Sequence, residues 1–305
     1  MDDAALKLPV GMQIFQRGWL SSNNILFTSE TETALVDSGY VSHARQTLAL
    51  VQQALQGRQL DFLINTHLHS DHCGGNALLQ QTYGCQTLIP EADQDAVVHW
   101  NEEQLSFTAT GQECPRFSFD HVLKAGDQLQ LAHVSWKVLA APGHDPHSVI
   151  LYCAQEGILI SADALWENGF GVIFPELEGE SGFAEQAAIL RLIEELDIRL
   201  VIPGHGSPFT DKQAAVNRAL SRLDYLAADP KRNARNAIKV LMAFMLLDKR
   251  EMTLNQLSAC LNEVRMMRVA AAHLALPVEH LLPQLVRELV NAGAARLEGE
   301  HLLSC

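Results

Sequence analysis

Apolar and polar positions change their rhythm at about residue 210. Before it, short apolar runs dominate, each closed by Gly, Pro or a polar cluster, as strands are. "MQIFQRG", "NNILFTS" and "TETALVDSG" predict three early strands. "SHARQTLALVQQALQG" has helical spacing, with Ser42 as the expected N-cap and Gly57 as the stop. "LDFLINTH" predicts a compact strand, "GGNALLQQTYG" a helix, "CQTLIP" a strand and "EADQDAVVHW" a short helix. Residues 101–120 lack a period and are expected to form an irregular insert over a site. "QLQLAHVSWKVLAAPGH", "SVILYCAQ" and "GILISADAL" read as β, "GFAEQAAILRLIEELD" as an amphipathic helix and "IRLVIPGHG" as a strand. Strands joined first by hairpins and then by helices predict an α/β fold of two sheets with helices outside.

After residue 210 the period becomes helical. "DKQAAVNRALSRLDYLAA", "ARNAIKVLMAFMLLD" and "TLNQLSACLNE" are helices, followed by a further helix, a break at Gly293 and two short strands around "EGE". The expected division is a domain at 1–210 and a smaller, mainly helical, winged-helix-like domain at 211–305. The helix holding "VLMAFMLL" is too apolar to stand free in water, so it should pack on the first domain or on another subunit. The C-terminal region is therefore expected to roof a pocket, with "KRNARNAIK" nearest to it. There Arg232 or Lys239 would meet an anionic part of a substrate, or else form a solvated helix face.

Composition narrows the class. With 305 residues, 48% of them hydrophobic and 19% charged, the chain suits a folded soluble protein. Its longest apolar runs fall far short of the ~20 residues that cross a bilayer, so no membrane partner is expected. "MDDAALKLPV" lacks the basic start of a secretory signal, and the six cysteines form no CxxC pair. Both features point to reduced thiols in a cytoplasmic protein. A formal charge of −14 speaks against general nucleic-acid binding, and the expected recognition helix "PQLVRELVN" is not basic.

The chemistry concentrates at residues 67–72, "HLHSDH", where His67, His69, Asp71 and His72 follow a strand on a tight loop. His144 in "APGHD", Asp163 in "SADAL" and His205 in "IPGHG" each end a further expected strand. Imidazole and carboxylate are good ligands for zinc and related divalent metals. A single catalytic metal needs only three protein ligands, so this set can serve two.

HLHSDH, PGH, SAD and PGHG, in that order and after "LVDSG" at 35–39, resemble the metallo-β-lactamase superfamily over roughly residues 10–210. The resemblance implies an αββα sandwich with its site at one edge of the sheets. It implies one metal on His67, His69 and His144, and a second on Asp71, His72 and His205, with Asp163 bridging. Asp37 would hold a ligand histidine by a hydrogen bond, or would only cap the turn at "DSG". The pattern is most similar to the hydroxyacylglutathione hydrolase kind and to the branch with a helical C-terminal extension. It departs from others. Asp163 stands where lactamases carry cysteine, and His69 where flavodiiron proteins carry glutamate. The 42 positions from Asp163 to His205 leave no room for the inserted domain of the nuclease branch. "GHDPHS" replaces the usual "GHTPG".

The expected protein is thus a dinuclear hydrolase with two divalent ions, zinc first and iron or manganese acceptable. Metal-bound hydroxide, oriented by Asp71 and Asp163, would attack an ester, thioester or lactone carbonyl of a small molecule. An iron-dependent dioxygenase with one metal, acting on a thiol or persulfide, is the rival enzyme; a regulatory or ligand-sensing protein is the rival class. Homodimer formation is left open. His147 touches substrate or is solvated, and Cys73 is a small buried residue or a redox group. Trp166 and Phe170 line a substrate wall or belong to a core. Tyr152 and Tyr225 are general-acid candidates by type only, Tyr152 reading as core.

Overall fold

The computed structural model describes residues 7–305. One sheet of six strands runs in sequence order: β1 (Met12–Phe15), β2 (Asn24–Thr28), β3 (Thr33–Val36), β4 (Phe62–Ile64), β5 (Gln86–Pro90) and β6 (His121–Leu123). A second sheet takes β7 (Gln128–Leu131), β8 (Val134–Ala140), β9 (Val149–Cys153), β10 (Ile158–Ala162) and β11 (Leu200–Pro203) in reverse order. A small third sheet has β14 (His301–Ser304) between β12 (Glu251–Thr253) and β13 (Ala295–Glu298).

The helices of the first region are α1 (Ala44–Leu55), α2 (Ser70–Cys73), α3 (Asn76–Tyr83), α4 (Gln94–His99), α5 (Phe107–Thr110) and α6 (Phe183–Glu195). Then come α7 (Lys212–Ala227), α8 (Pro230–Lys249), α9 (Leu254–Glu263), α10 (Arg265–Leu274) and α11 (Val278–Asn291).

The period of two along each strand builds the layers. In β2, Ile25 and Phe27 enter the core between the sheets while Leu26 enters the core under α1 and α3. In β10, Ile158 and Ile160 point between the sheets and Leu159 points to α6 and α7. Strands buried on both faces read as continuous apolar runs, which is why they were compact in the sequence. The result is the αββα sandwich that was expected, carrying a helical C-terminal region.

Packing passes to the C-terminal unit at the junction of α7 and α8, later than residue 210. Ala215, Val216, Ala219 and Leu223 of α7 pack into the outer core of the second sheet. Ala237, Ile238, Leu241 and Met242 of α8 belong with α9–α11 in a separate core. That core also takes Ala109, Val172 and Leu177, so the C-terminal unit is packed onto the sandwich. Among the described residues no single helix is long and apolar enough to cross a membrane.

Several local details differ from the sequence pattern. Ser42 lies inside a short 3-10 turn, Val41–His43, and α1 begins with no side-chain cap. Gln56, at φ 51°, ends the helix one residue before Gly57. The strands β6 and β12 are three residues each, too short to show alternation. Helix α10 was not anticipated either: it follows α9 with only Val264 between them. The 101–120 insert is irregular apart from the single turn α5.

Candidate metal centre

Each singled-out ligand sits just beyond the C-terminal end of a strand or on the short helix that follows one. His67 and His69 lie after β4 and Asp71 and His72 on α2; His144 lies between β8 and β9, Asp163 after β10 and His205 after β11. Strand ends fixed by two sheets hold loops with little freedom. The ligand atoms of His67, His69 and His144 lie within 4.8 Å of one another, and so do those of Asp71, His72, Asp163 and His205. Asp163 touches both groups: its Oδ1 is 3.4 Å from His72 Nε2, and its Oδ2 is 3.5 Å from His144 Nε2.

The outward side of the imidazoles is tied down. His72 Nδ1 donates to Asp37 Oδ2 at 2.8 Å, and Asp37 also accepts from Thr66 N at 2.9 Å and Thr66 Oγ1 at 2.8 Å. His144 Nδ1 donates to the Val172 carbonyl at 2.6 Å. Those bonds leave Nε2 of His72 and His144 as free acceptors. Nε2 of His67, Nε2 of His72, Nε2 of His144 and Nδ1 of His205 are all buried with no hydrogen-bond partner. Buried polar atoms are rarely left so, and the three Nε2 atoms fit a bound cation, whereas His205 turns Nε2 rather than Nδ1 toward Asp71 and Asp163.

Protonation agrees. Burial, aided by neighbouring imidazoles, holds His67 well below the usual histidine range. Burial also lowers His69, and lowers His144 to about 4. Although burial opposes its charge, Asp163 is held well below the usual carboxylate range by His205, His72 and His144. Asp71 is lowered too, against its burial, by the hydrogen bond from His205. Neutral imidazoles and ionised carboxylates are the states that bind metal. His72 is lifted: burial opposes a proton there, but Asp37 and Asp163 on either side favour positive charge.

Backbone presses close around the centre. A Cβ at Gly171 would lie 2.3 Å from His144 Nδ1, and one at Gly204 would lie 2.1 Å from Asp163 Oδ1. Both positions need glycine for approach alone.

Over the ligands lies a cavity of about 100 Å³ with apolar walls that include Trp19, Trp166, Phe174, Val240, Leu241 and Phe244. Trp19, although 57% exposed, stacks on the His205 ring with centroids 5.6 Å apart and planes 6° apart. Trp166 meets Trp19 edge-on at 5.3 Å and donates its indole N–H to Asp163 Oδ1 at 3.1 Å. Trp166 is thus wall, whereas Phe170 is buried in the core under α7.

The roof comes from α8, but not from its basic start. Arg232 donates to the Tyr225 carbonyl at 2.9 Å and covers that ring at 4.1 Å; Lys239 pairs with Glu288 at 3.0 Å. Both line a separate open groove, and the face of α8 that reaches the metal cavity begins at Val240. Tyr152 donates to the Asp197 carbonyl at 3.0 Å, and Tyr225 lies under Arg232, so neither reaches the centre. Cys73 is fully buried, its Sγ 3.7 Å from Cys114 Sγ, and burial pushes its thiol up: it is packing. His147 is bonded to Asp93 at 2.7 Å rather than free in solvent. Trp19 and Phe244 went unmarked in the sequence; a tryptophan in "RGWLSSNN" was the one available signal.

The Metallo-beta-lactamase superfamily model matches residues 17–205. Among curated relatives, the hydroxyacylglutathione hydrolase of Brucella ovis is 26% identical over 126 residues, 41% of this chain and 42% of the relative. That of Brucella anthropi is 28% identical over 128 residues, with the same shares. The chain thus spans about two fifths of the length of the curated relatives it matches. Among solved structures, a metallo-beta-lactamase family protein from Thermus thermophilus is similar over 97% of this chain and 99% of its own, at 19% identity and a TM-score of 0.58. TTHA1623, solved in a di-iron-bound form, is 25% identical with a TM-score of 0.54, over 70% of this chain and 98% of its own.

Proposed function

Since the chain belongs to the metallo-beta-lactamase superfamily, with residues 17–205 matching it, we propose that it is a dinuclear metal-dependent hydrolase of an ester, thioester or lactone. His67, His69 and His144 would hold one ion and Asp71, His72 and His205 the other, with Asp163 between the groups. The observation that carries this reading is the set of three buried imidazole Nε2 atoms with no partner, on His67, His72 and His144, which come from both ligand groups. Zinc, iron and manganese all accept such nitrogen and oxygen donors, zinc being the first expectation.

Divalent ions in this set would lower the pKa of water and polarise a carbonyl. The residues do the rest. Asp37 and the Val172 carbonyl fix the tautomers of His72 and His144, so their free nitrogens face inward. Asp71 and Asp163 both border the cavity, and their ionised oxygens can accept a hydrogen bond from an attacking water and orient it. Trp166 restrains the rotation of Asp163 through its indole N–H. The apolar walls, from Trp19 to Phe244, exclude bulk water and give an acyl group a surface to lie on.

Two metal equivalents per chain, together with hydrolysis in a screen of thioesters, esters and lactones, would be the expected result. One iron per chain with oxygen consumption on a thiol or persulfide would replace this reading with the dioxygenase. Metal without turnover on any carbonyl substrate would point to the regulatory class.

A further inference from the structure

A second, larger cavity of about 560 Å³ opens beside the first and shares its walls at His69, Ser106, Thr110, His144 and Phe174. A substrate whose carbonyl sits over the ligands can therefore extend into both. The two differ in chemistry. Away from the ligands themselves, the small one is walled mainly by apolar side chains. The large one is bordered by five carboxylates: Asp93, Glu103, Asp145, Glu178 and Glu180.

The cations that border it are already engaged. Arg265 pairs with both Glu103 and Glu178, and His147 with Asp93 at 2.7 Å. One carboxylate oxygen, Asp93 Oδ2, is buried with no partner at all. Asp93 borders the cavity with a side chain only 8% exposed, so its charge is held in a partly desolvated wall. The basic residues of α8 line a different groove and do not offset this charge.

We propose that the large cavity holds the leaving-group half of the substrate and selects a positively charged one, discriminating against carboxylate-bearing groups. Like charges brought together inside a partly desolvated cleft repel, and unlike charges there attract more than in bulk water. The apolar cavity, under Trp19 and Phe244, takes the acyl half. This rests on the hydrolase reading and makes it more specific. It also separates this chain from its glutathione-directed relatives, since glutathione carries two carboxylates and one ammonium.

The test uses the metal-loaded full chain and three thioesters with the same butyryl group: butyrylthiocholine (cationic), S-butyryl-N-acetylcysteamine (neutral) and S-butyrylglutathione (anionic). The expected order of kcat/KM is cation, then neutral, then anion, with roughly 10-fold or more between the ends. Raising the ionic strength should narrow that ratio. Glu180→Lys, on the exposed stretch before α6, should narrow it by about 3-fold or more, lowering kcat/KM for the cation and raising it for the anion. Equal or better turnover of the glutathione thioester overturns the proposal while leaving the hydrolase intact. A ratio that neither salt nor Glu180→Lys moves also overturns it. Turnover of none of the three sinks the thioesterase reading beneath it.

Discussion

Asp37 Oδ2 lies 2.8 Å from His72 Nδ1, and through this bond the end of β3 sets the aim of a ligand on α2. Asp37 adopts φ 57°, a left-handed conformation that a non-glycine residue reaches only at some cost. Its carboxylate also receives both donors of Thr66, the residue before the first ligand. Asp37→Ala should release His72 and weaken metal binding by about 10–100-fold in chelator competition. Unchanged affinity would reduce Asp37 to the cap of a turn.

Asp163 stands between the two ligand groups, within 3.5 Å of a histidine from each. Asp163→Ala removes that link, one negative charge and the partner of the Trp166 indole. Activity should fall by at least ~100-fold and the metal content should drop. Near-normal turnover with two ions retained would show that it bridges nothing.

Stripping the metal leaves three buried imidazole nitrogens unmatched, on His67, His72 and His144, and two carboxylates in close contact with histidines. A ligand present at about 100 times its Kd stabilises a fold by about 2.7 kcal/mol, so the apo-protein should melt roughly 5 °C or more below the loaded form. Scanning calorimetry with and without chelator measures this. A coincident melting curve, with metal removal verified, would mean the histidines need no cation.

Arg232 and Lys239 are occupied by Tyr225 and Glu288, away from the metal cavity. Arg232→Ala and Lys239→Ala should therefore leave KM unchanged for anionic and neutral substrates alike, with stability losses within about 1 kcal/mol because both pairs are partly solvated. A several-fold rise in KM for an anionic substrate would bring the basic stretch back into the site.

Phe244 roofs the cavity and packs edge-on against Tyr40 with centroids 5.0 Å apart. Phe244→Ala should raise KM for a long acyl chain several-fold while changing kcat less, because it removes contact made equally in ground and transition states. A loss in kcat alone would place Phe244 in the chemistry instead.

The sandwich was legible because its strands are buried on both faces, which writes them as unbroken apolar runs such as "LDFLINTH" and "IRLVIPGHG". The ligand positions were legible for a related reason: each polar ligand follows such a run directly, where apolar character stops. The roof was not. Val240 and Phe244 sit in a helix whose other apolar residues, Leu241 and Met242 among them, serve the C-terminal core, and spacing alone cannot tell the two uses apart. The basic start of α8 misled for the same reason, since charge in sequence does not say which groove it faces. Trp19 reaches His205 only because Asn23 fixes its loop, donating to the carbonyls of Pro203 at 2.9 Å and Gly206 at 2.8 Å. That contact spans 180 positions of chain and leaves no local trace.

The glycines at 171 and 204 divide the centre into a part that can vary and a part that cannot. On those two sides the wall is bare backbone, and even one added carbon would collide with His144 or Asp163. Side chains such as Trp19, Val240, Phe244 and the acidic border around Glu180 are free of that constraint. Those residues lie on the N-terminal loop, on α8 and on the stretch before α6, outside the strands that carry the ligands. Substitution there can reshape what enters while the metal set stays as it is. The architecture keeps its ligand set fixed and leaves the shape and charge of its cavities open to drift.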